Sequence, residues 1–131
     1  MIVVDASVFV TALVDSGRDG DVARGRLLED GDLHAPHLAD LEVASQLRRA
    51  VQEGALDGWR AEAALADLRD LRVARYPHTP FLERIWELRA NLTPYDAAYV
   101  ALGEALAAPL VTADARLARA PGIGCPVEVL R

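Results

Sequence analysis

The constraint that bears hardest on this chain is an alternation. Short apolar runs, "IVVD", "LHAP", "RVARYP", "PLVTAD" and "PVEVL", are separated by longer segments whose apolar residues recur at helical spacing. Strands that alternate with helices pair in parallel, because each crossover returns the chain to the same end of the sheet, and helices then cover both faces. The expected class is α/β with a mostly parallel sheet. Helices are predicted over "ASVFVTALV", "DVARGRLLEDG", "LADLEVASQLRRAVQEG", "LDGWRAEAALADLRDL", "TPFLERIWELRAN", "TPYDAAYVALGEALA" and "ARLARA". In the third of these, Leu38, Leu41, Val43, Ala44, Leu47 and Val51 are expected on one broad face, with Gly54 as a stop. Thr79-Pro80 and Thr93-Pro94 each read as a helix start, a Thr cap followed by Pro at the first helical position. "RVARYP" reads as an exposed or edge strand. No repeat, low-complexity tract or linker interrupts the pattern, so residues 1–131 are expected to form a single domain.

Acids stand where strand gives way to helix. Asp5 ends the first run and Asp114 ends "PLVTAD". Asp96 lies in the first turn after Thr93-Pro94, and Glu42 in the first or second turn after Pro36. In a parallel sheet the carboxyl ends of the strands share one edge, helices begin there, and ligands bind there. Asp5, Glu42, Asp96 and Asp114 are therefore expected to face one crevice. Taken singly, each has a plain alternative: Asp5 and Asp114 as helix caps, Asp96 as part of a capping box with Thr93, Glu42 as a solvated helix residue. Taken together, converging carboxylates repel unless cations neutralise them. Carboxylates with no His or Cys partner suit hard ions, Mg²⁺ or Mn²⁺, and such ions act on phosphates. The chemistry expected of that arrangement is phosphodiester hydrolysis.

Composition narrows the field. All 14 basic residues are arginine, which removes P-loop and Schiff-base mechanisms, since both need lysine. The net charge of −6 argues against holding nucleic acid by bulk electrostatics, though not against a metal-dependent nuclease whose acids are neutralised by cations. The single cysteine, Cys125, rules out an internal disulfide and a Cys-rich zinc site and reads as a packing residue. No apolar run approaches a membrane span and the start lacks the pattern of a signal peptide, so a cytoplasmic protein is expected.

The same segments resemble the PIN-domain family of metal-dependent ribonucleases, and within it the VapC toxins of bacterial toxin–antitoxin pairs. The resemblance runs through "VVDASVFV", "HAPHLADLEVASQLRRAV", "LRANLTPYDAAYVALGEAL" and "PLVTADARLARA", nearly the whole chain. It implies a three-layer α/β/α PIN-like domain around a central parallel sheet of about five strands, and Mg²⁺- or Mn²⁺-dependent endoribonuclease activity. It also implies a homodimer and neutralisation by a cognate VapB-like antitoxin. Asp5, Glu42, Asp96 and Asp114 are then the catalytic, metal-holding acids. Ser7 and Thr112 would orient carboxylates or water beside them, with turn and cap hydrogen bonds as the alternative. Asn91 would line the site or cap the preceding helix. One departure is local: many relatives carry asparagine where this chain has Ser45.

Other features read plainly. His34, His37 and His78 lack metal spacing and are expected at the surface or in loops. Asp40 is expected on a different side of its helix from Glu42. Trp59, Trp86, Tyr95 and Tyr99 are scattered and expected mostly in the core or at a dimer contact. Arg48, Arg49, Arg84, Arg89 and Arg116 are candidates for RNA phosphate contacts, Arg116 foremost because it follows Asp114. Two rival functions stand beside it: a silent PIN-like domain that only binds a partner, and a Mg²⁺-dependent phosphatase or receiver domain. The phosphatase pattern needs an Asp at Ser7, and both members of the second class need a lysine.

Overall fold

The structure, a computed structural model, describes residues 1–131. Five parallel strands, β1 (Ile2–Val4), β2 (Leu33–Pro36), β3 (Val73–Tyr76), β4 (Leu110–Thr112) and β5 (Val127–Val129), form one sheet in the order β3-β2-β1-β4-β5. The sheet lies between seven helices: α1 (Ala6–Val14), α2 (Arg18–Asp30), α3 (Leu38–Gln52), α4 (Gly58–Asp70), α5 (Leu82–Glu87), α6 (Pro94–Leu106) and α7 (Ala115–Arg119). The chain steps outward from β1 to β2 to β3, then crosses back to β4 and on to β5. Right-handed crossovers place α1–α4 on one face and α5–α7 on the other. The contacts agree: α1 packs on α2, α3 and α4, while α6 lies against β1, β2 and β4 and α7 against β5. This is the α/β/α arrangement expected from the sequence. No helix is long and apolar enough to cross a membrane.

Burial explains the sequence pattern. The residues of β1 and β4 are all buried, as central parallel strands covered on both faces must be, and so read as unbroken apolar runs. β3 is the half-exposed edge strand expected of "RVARYP". Helix α6 is buried continuously from Ala97 to Gly103, because it passes under the central strands rather than along the surface. Its start is the expected cap: the Thr93 hydroxyl accepts the Asp96 N–H at 3.2 Å, with Pro94 in the first turn.

Several local expectations differ. Thr79 caps no α-helix; Thr79–Phe81 is a 3₁₀ turn, and the following helix is only six residues long. On α3 the buried face is Ala39, Val43 and Leu47, while Leu41 and Val51 are exposed. Spacing four apart follows the helix turn; Leu41 falls two residues off that line. His34 is buried in β2, between the Tyr76 hydroxyl (2.7 Å) and the Asp32 carboxylate (2.8 Å), whereas His37 and His78 are exposed as expected. Among the four aromatics named above, only Tyr99 is core; Trp59, Trp86 and Tyr95 are exposed. Asp40 does lie apart from Glu42, paired with Arg75 at 2.8 Å.

Arg84 leaves the set of candidate phosphate contacts. Its Nε and Nη2 donate to the two oxygens of Glu104 at 2.7 and 2.9 Å, and Nη2 also to the Gly122 carbonyl at 2.8 Å. Glu104 in turn accepts the Gly124 N–H at 2.6 Å, so one carboxylate ties α5, α6 and the segment leading to β5. The bond from Arg84 holds the Glu104 carboxyl below its ordinary 4.5. A depressed acid stabilises the fold above its unfolded value and loses that contribution as pH falls through the folded one. Glu104→Gln is therefore expected to cost about 1–2 kcal/mol at neutral pH. The cost should shrink below pH 4.5, where the wild type loses the same interaction; melting temperature against pH for both chains checks this.

Candidate active site

The order of the strands reverses between β1 and β4, which makes the carboxyl edge there the switch point of the sheet, the place where open α/β sheets bind ligands. Asp5 follows β1 and Asp114 follows β4 by two residues; the Asp5 N–H bonds the Val111 carbonyl at 2.9 Å, holding the two strand ends together.

Asp5 occupies the cap position of α1, yet its side chain caps nothing. Its Oδ2 instead accepts two hydroxyl protons, from Ser7 and from Thr112, each at 2.7 Å. Both hydroxyls are themselves anchored, Ser7 by the Ala113 N–H at 3.1 Å and Thr112 by the Asp114 N–H at 3.0 Å. The carboxylate of Asp5 is thus fixed at the switch point by groups from both flanking strand ends, with both bonds on one oxygen. That disfavours the helix-cap reading of Asp5. For Ser7 and Thr112 the two readings merge, since each orients the acid and closes a local turn at once.

Asp114 behaves differently. It does cap α7, accepting the Arg116 N–H at 2.9 Å, and it also pairs with the Arg116 guanidinium, Nη2 to Oδ2 at 2.7 Å and Nε to Oδ1 at 3.1 Å. That arginine holds the Asp114 carboxyl below the ordinary carboxylate range. Arg116 itself is largely exposed, so the pair is readily separated.

Asp96 and Glu42 are half-buried, and both carboxyls are pushed above their ordinary values. Burial is the first cause in each. Next to it stand the other acids: Asp5 and Asp114 raise Asp96, and Asp5 and Asp96 raise Glu42. The four acids drawn from distant parts of the sequence do therefore share one electrostatic neighbourhood. Asn91, Thr93, Asp96, Asp114 and Arg116 line one open cleft of about 210 Å³ there.

Tyr99 is the residue that sequence reasoning missed here. It is fully buried, and its hydroxyl donates to Glu42 Oε1 at 2.6 Å while accepting the Ala6 N–H at 3.3 Å. Burial and the neighbouring Asp5 and Glu42 charges push the phenol far above its ordinary range, so it keeps its proton. A signal was present: Tyr99 lies three residues after Asp96, on the same face of α6.

The donor set suits a hard divalent ion. It consists of carboxylates, mutually repelling and half-buried, beside an open cleft. No three Asp, Glu, His or Cys side chains gather closely enough to cage an ion by themselves.

Comparison with known proteins points the same way. The PIN domain model matches residues 2–123. The chain is 48% identical to ribonuclease VapC1 of Mycobacterium tuberculosis over 130 residues, covering 98% of this chain and 97% of that one. It is 51% identical to ribonuclease VapC9 of the same organism over 133 residues, covering 99% and 98%. The solved VapBC2 of Rickettsia felis, bound to a DNA fragment from its promoter, superposes with a TM-score of 0.75 over all of both chains at 15% identity, a likeness of fold alone. With that depth of sequence likeness carried along its length, on this sheet and these crossovers, the chain belongs to the PIN domain family.

Proposed function

We propose that this protein is an endoribonuclease that hydrolyses RNA phosphodiester bonds with Mg²⁺ or Mn²⁺, and that it is the toxin of a toxin–antitoxin pair. The observation that carries the chemistry is the Asp5 carboxylate: it stands at a helix cap, declines to cap, and is held by two hydroxyls at the switch point. The toxin role rests on the relatives, ribonucleases VapC1 and VapC9, and on the fold shared with VapBC2. Its partners in this reading are RNA, a VapB-like antitoxin that silences it, and a second copy of the chain in a homodimer. Residues 1–131 act as one domain, in the cytoplasm.

Asp5, Glu42, Asp96 and Asp114 would hold the ion. When bound, it supplies neutralisation of charge on the phosphodiester and a more acidic attacking water. The protein's own part is orientation. Ser7 and Thr112 occupy Oδ2 of Asp5, which leaves Oδ1 to face a ligand. Half-burial leaves the Asp96 and Glu42 carboxylates less well solvated than free ones, which favours their meeting a cation. Asn91 stands at the cleft wall. Arg116, released from Asp114, is placed to meet an RNA phosphate, and its exposure makes that release inexpensive.

The test is cleavage of total RNA and of a short labelled RNA by antitoxin-free protein, wild type beside Asp5→Ala, in EDTA, Mg²⁺ and Mn²⁺. The expected result is cutting that needs metal and falls at least about 100-fold in Asp5→Ala, since even groups that merely orient ligands are worth 10–100-fold. Cutting that survives EDTA, or an undiminished Asp5→Ala, would overturn the assignment. A folded wild type that cuts neither RNA and binds no Mn²⁺ would favour the silent partner-binding domain.

A further inference from the structure

Glu42 differs from the other acids in how it is reached. It sits on α3, on one face of the sheet, while Asp96 sits on α6, on the other. Tyr99, on α6, reaches across to Glu42, on α3. Its hydroxyl has one proton and two lone pairs. The Ala6 N–H has only a proton to give, so it takes a lone pair at 3.3 Å; the phenolic proton then goes to Glu42 Oε1, at 2.6 Å, a length typical of a hydroxyl on a carboxylate. Ala6 is the residue directly after Asp5. One buried hydroxyl thus joins α6, α3 and the start of α1, the elements that carry Asp96, Glu42 and Asp5.

We propose that Tyr99 is a positioning residue, which sets the distance and direction of the Glu42 carboxylate relative to Asp5 and Asp96 so that the acids can share a divalent cation. The proposal rests on the reading of the cleft as a metal-dependent nuclease site. The plain alternative is that a core phenol satisfies its hydroxyl with whatever acceptor is near. The two differ in consequence. A merely satisfied phenol affects stability when its hydroxyl is removed. A strut affects metal affinity, and only while Glu42 is there to be held.

Phe in place of Tyr99 keeps the ring and its packing and removes the bond. The full chain as wild type, Tyr99→Phe, Glu42→Ala and the double variant is titrated with Mn²⁺ alone, bound ion being read by electron paramagnetic resonance, and the melting temperature of each is recorded. Tyr99→Phe is expected to weaken Mn²⁺ about tenfold, the lower end of what removing an orienting hydrogen bond does at metal sites. In the Glu42→Ala background it should weaken Mn²⁺ no further. On a short RNA, kcat should fall by a similar factor with KM unchanged. Glu42→Asp, which leaves the core untouched and draws the carboxylate back from the phenol by one methylene, should change affinity in the same direction. A Tyr99→Phe chain that binds Mn²⁺ as wild type does, or that loses the same factor with and without Glu42, overturns the strut. Wild type that binds Mn²⁺ but cuts no RNA overturns the nuclease reading alone, and the titration still decides Tyr99. Wild type that binds no Mn²⁺ overturns both.

Discussion

Asp96→Asn is expected to abolish RNA cleavage and, in metal-free buffer at neutral pH, to raise the melting temperature. The two effects have one cause. Asp96 is half-buried beside Asp5 and Asp114, and burial first, then those charges, lift its carboxyl above the ordinary 3.8. An acid whose folded value is raised stabilises the fold below its unfolded value and loses that contribution as pH rises through the folded one. For Asp96 the loss therefore sets in above 3.8 and grows as pH rises through the raised folded value; Glu42 behaves likewise above its ordinary 4.5. Asparagine removes the charge and keeps the shape. It also keeps the helix start, because the Thr93 hydroxyl accepts the backbone N–H of residue 96. The gain should vanish near pH 3, where wild type is protonated as well. Adding Mg²⁺ or Mn²⁺ should reverse the order, because a ligand that binds only the folded state stabilises it, and the wild-type site binds the ion better. Cleavage should fall at least about 100-fold. Thermal unfolding of both chains with and without metal, across pH 3–8, checks the stability half. A variant no more stable than wild type at pH 7 without metal would show that the acids are not in conflict.

The second large effect concerns a glycine far from the acids. Gly20, buried in the first turn of α2, lies so close to the loop after α1 that a Cβ there would stand 1.9 Å from the Asp15 carbonyl oxygen. That carbonyl is backbone and is itself in use: Arg24 Nη1 donates to it at 2.7 Å and to the Ala12 carbonyl at 3.0 Å, closing the carboxyl end of α1. Gly20→Ala must push the loop away and loosen both bonds. A cost of about 2–4 kcal/mol is expected. Gly25, five residues on in the same helix, is exposed and has nothing within 4 Å of its Cβ direction. There alanine improves helix propensity at no steric cost, and a gain of about 0.5–1 kcal/mol is expected. The two substitutions are chemically identical, so their opposite signs in a denaturant titration would isolate the close approach at residue 20. A Gly20→Ala chain as stable as wild type would show that the α1–α2 loop yields freely.

What the sequence determined by itself was much of what short-range interactions carry. Strand and helix order, the half-exposed edge strand, the Thr93-Pro94 start of α6 and the Gly31 end of α2 all depend on periodicity and caps within a few residues, and the chain spells these out locally. Topology then brought Asp5 and Asp114 to one edge, because parallel strands leave no other place for their carboxyl ends. Local spacing could not say why an acid stands at each position: Asp5 and Asp114 look alike as caps, and only the fold shows that one caps and the other does not. The bonds that separate them join residues far apart, Thr112 to Asp5 across 107 positions and Tyr99 to Glu42 across 57. The outward turn of Leu41, the burial of His34 and the capture of Arg84 by Glu104 belong with these. Each is decided by which surfaces meet when helices close over the sheet, and that is a property of packing, to which residue-by-residue pattern is blind.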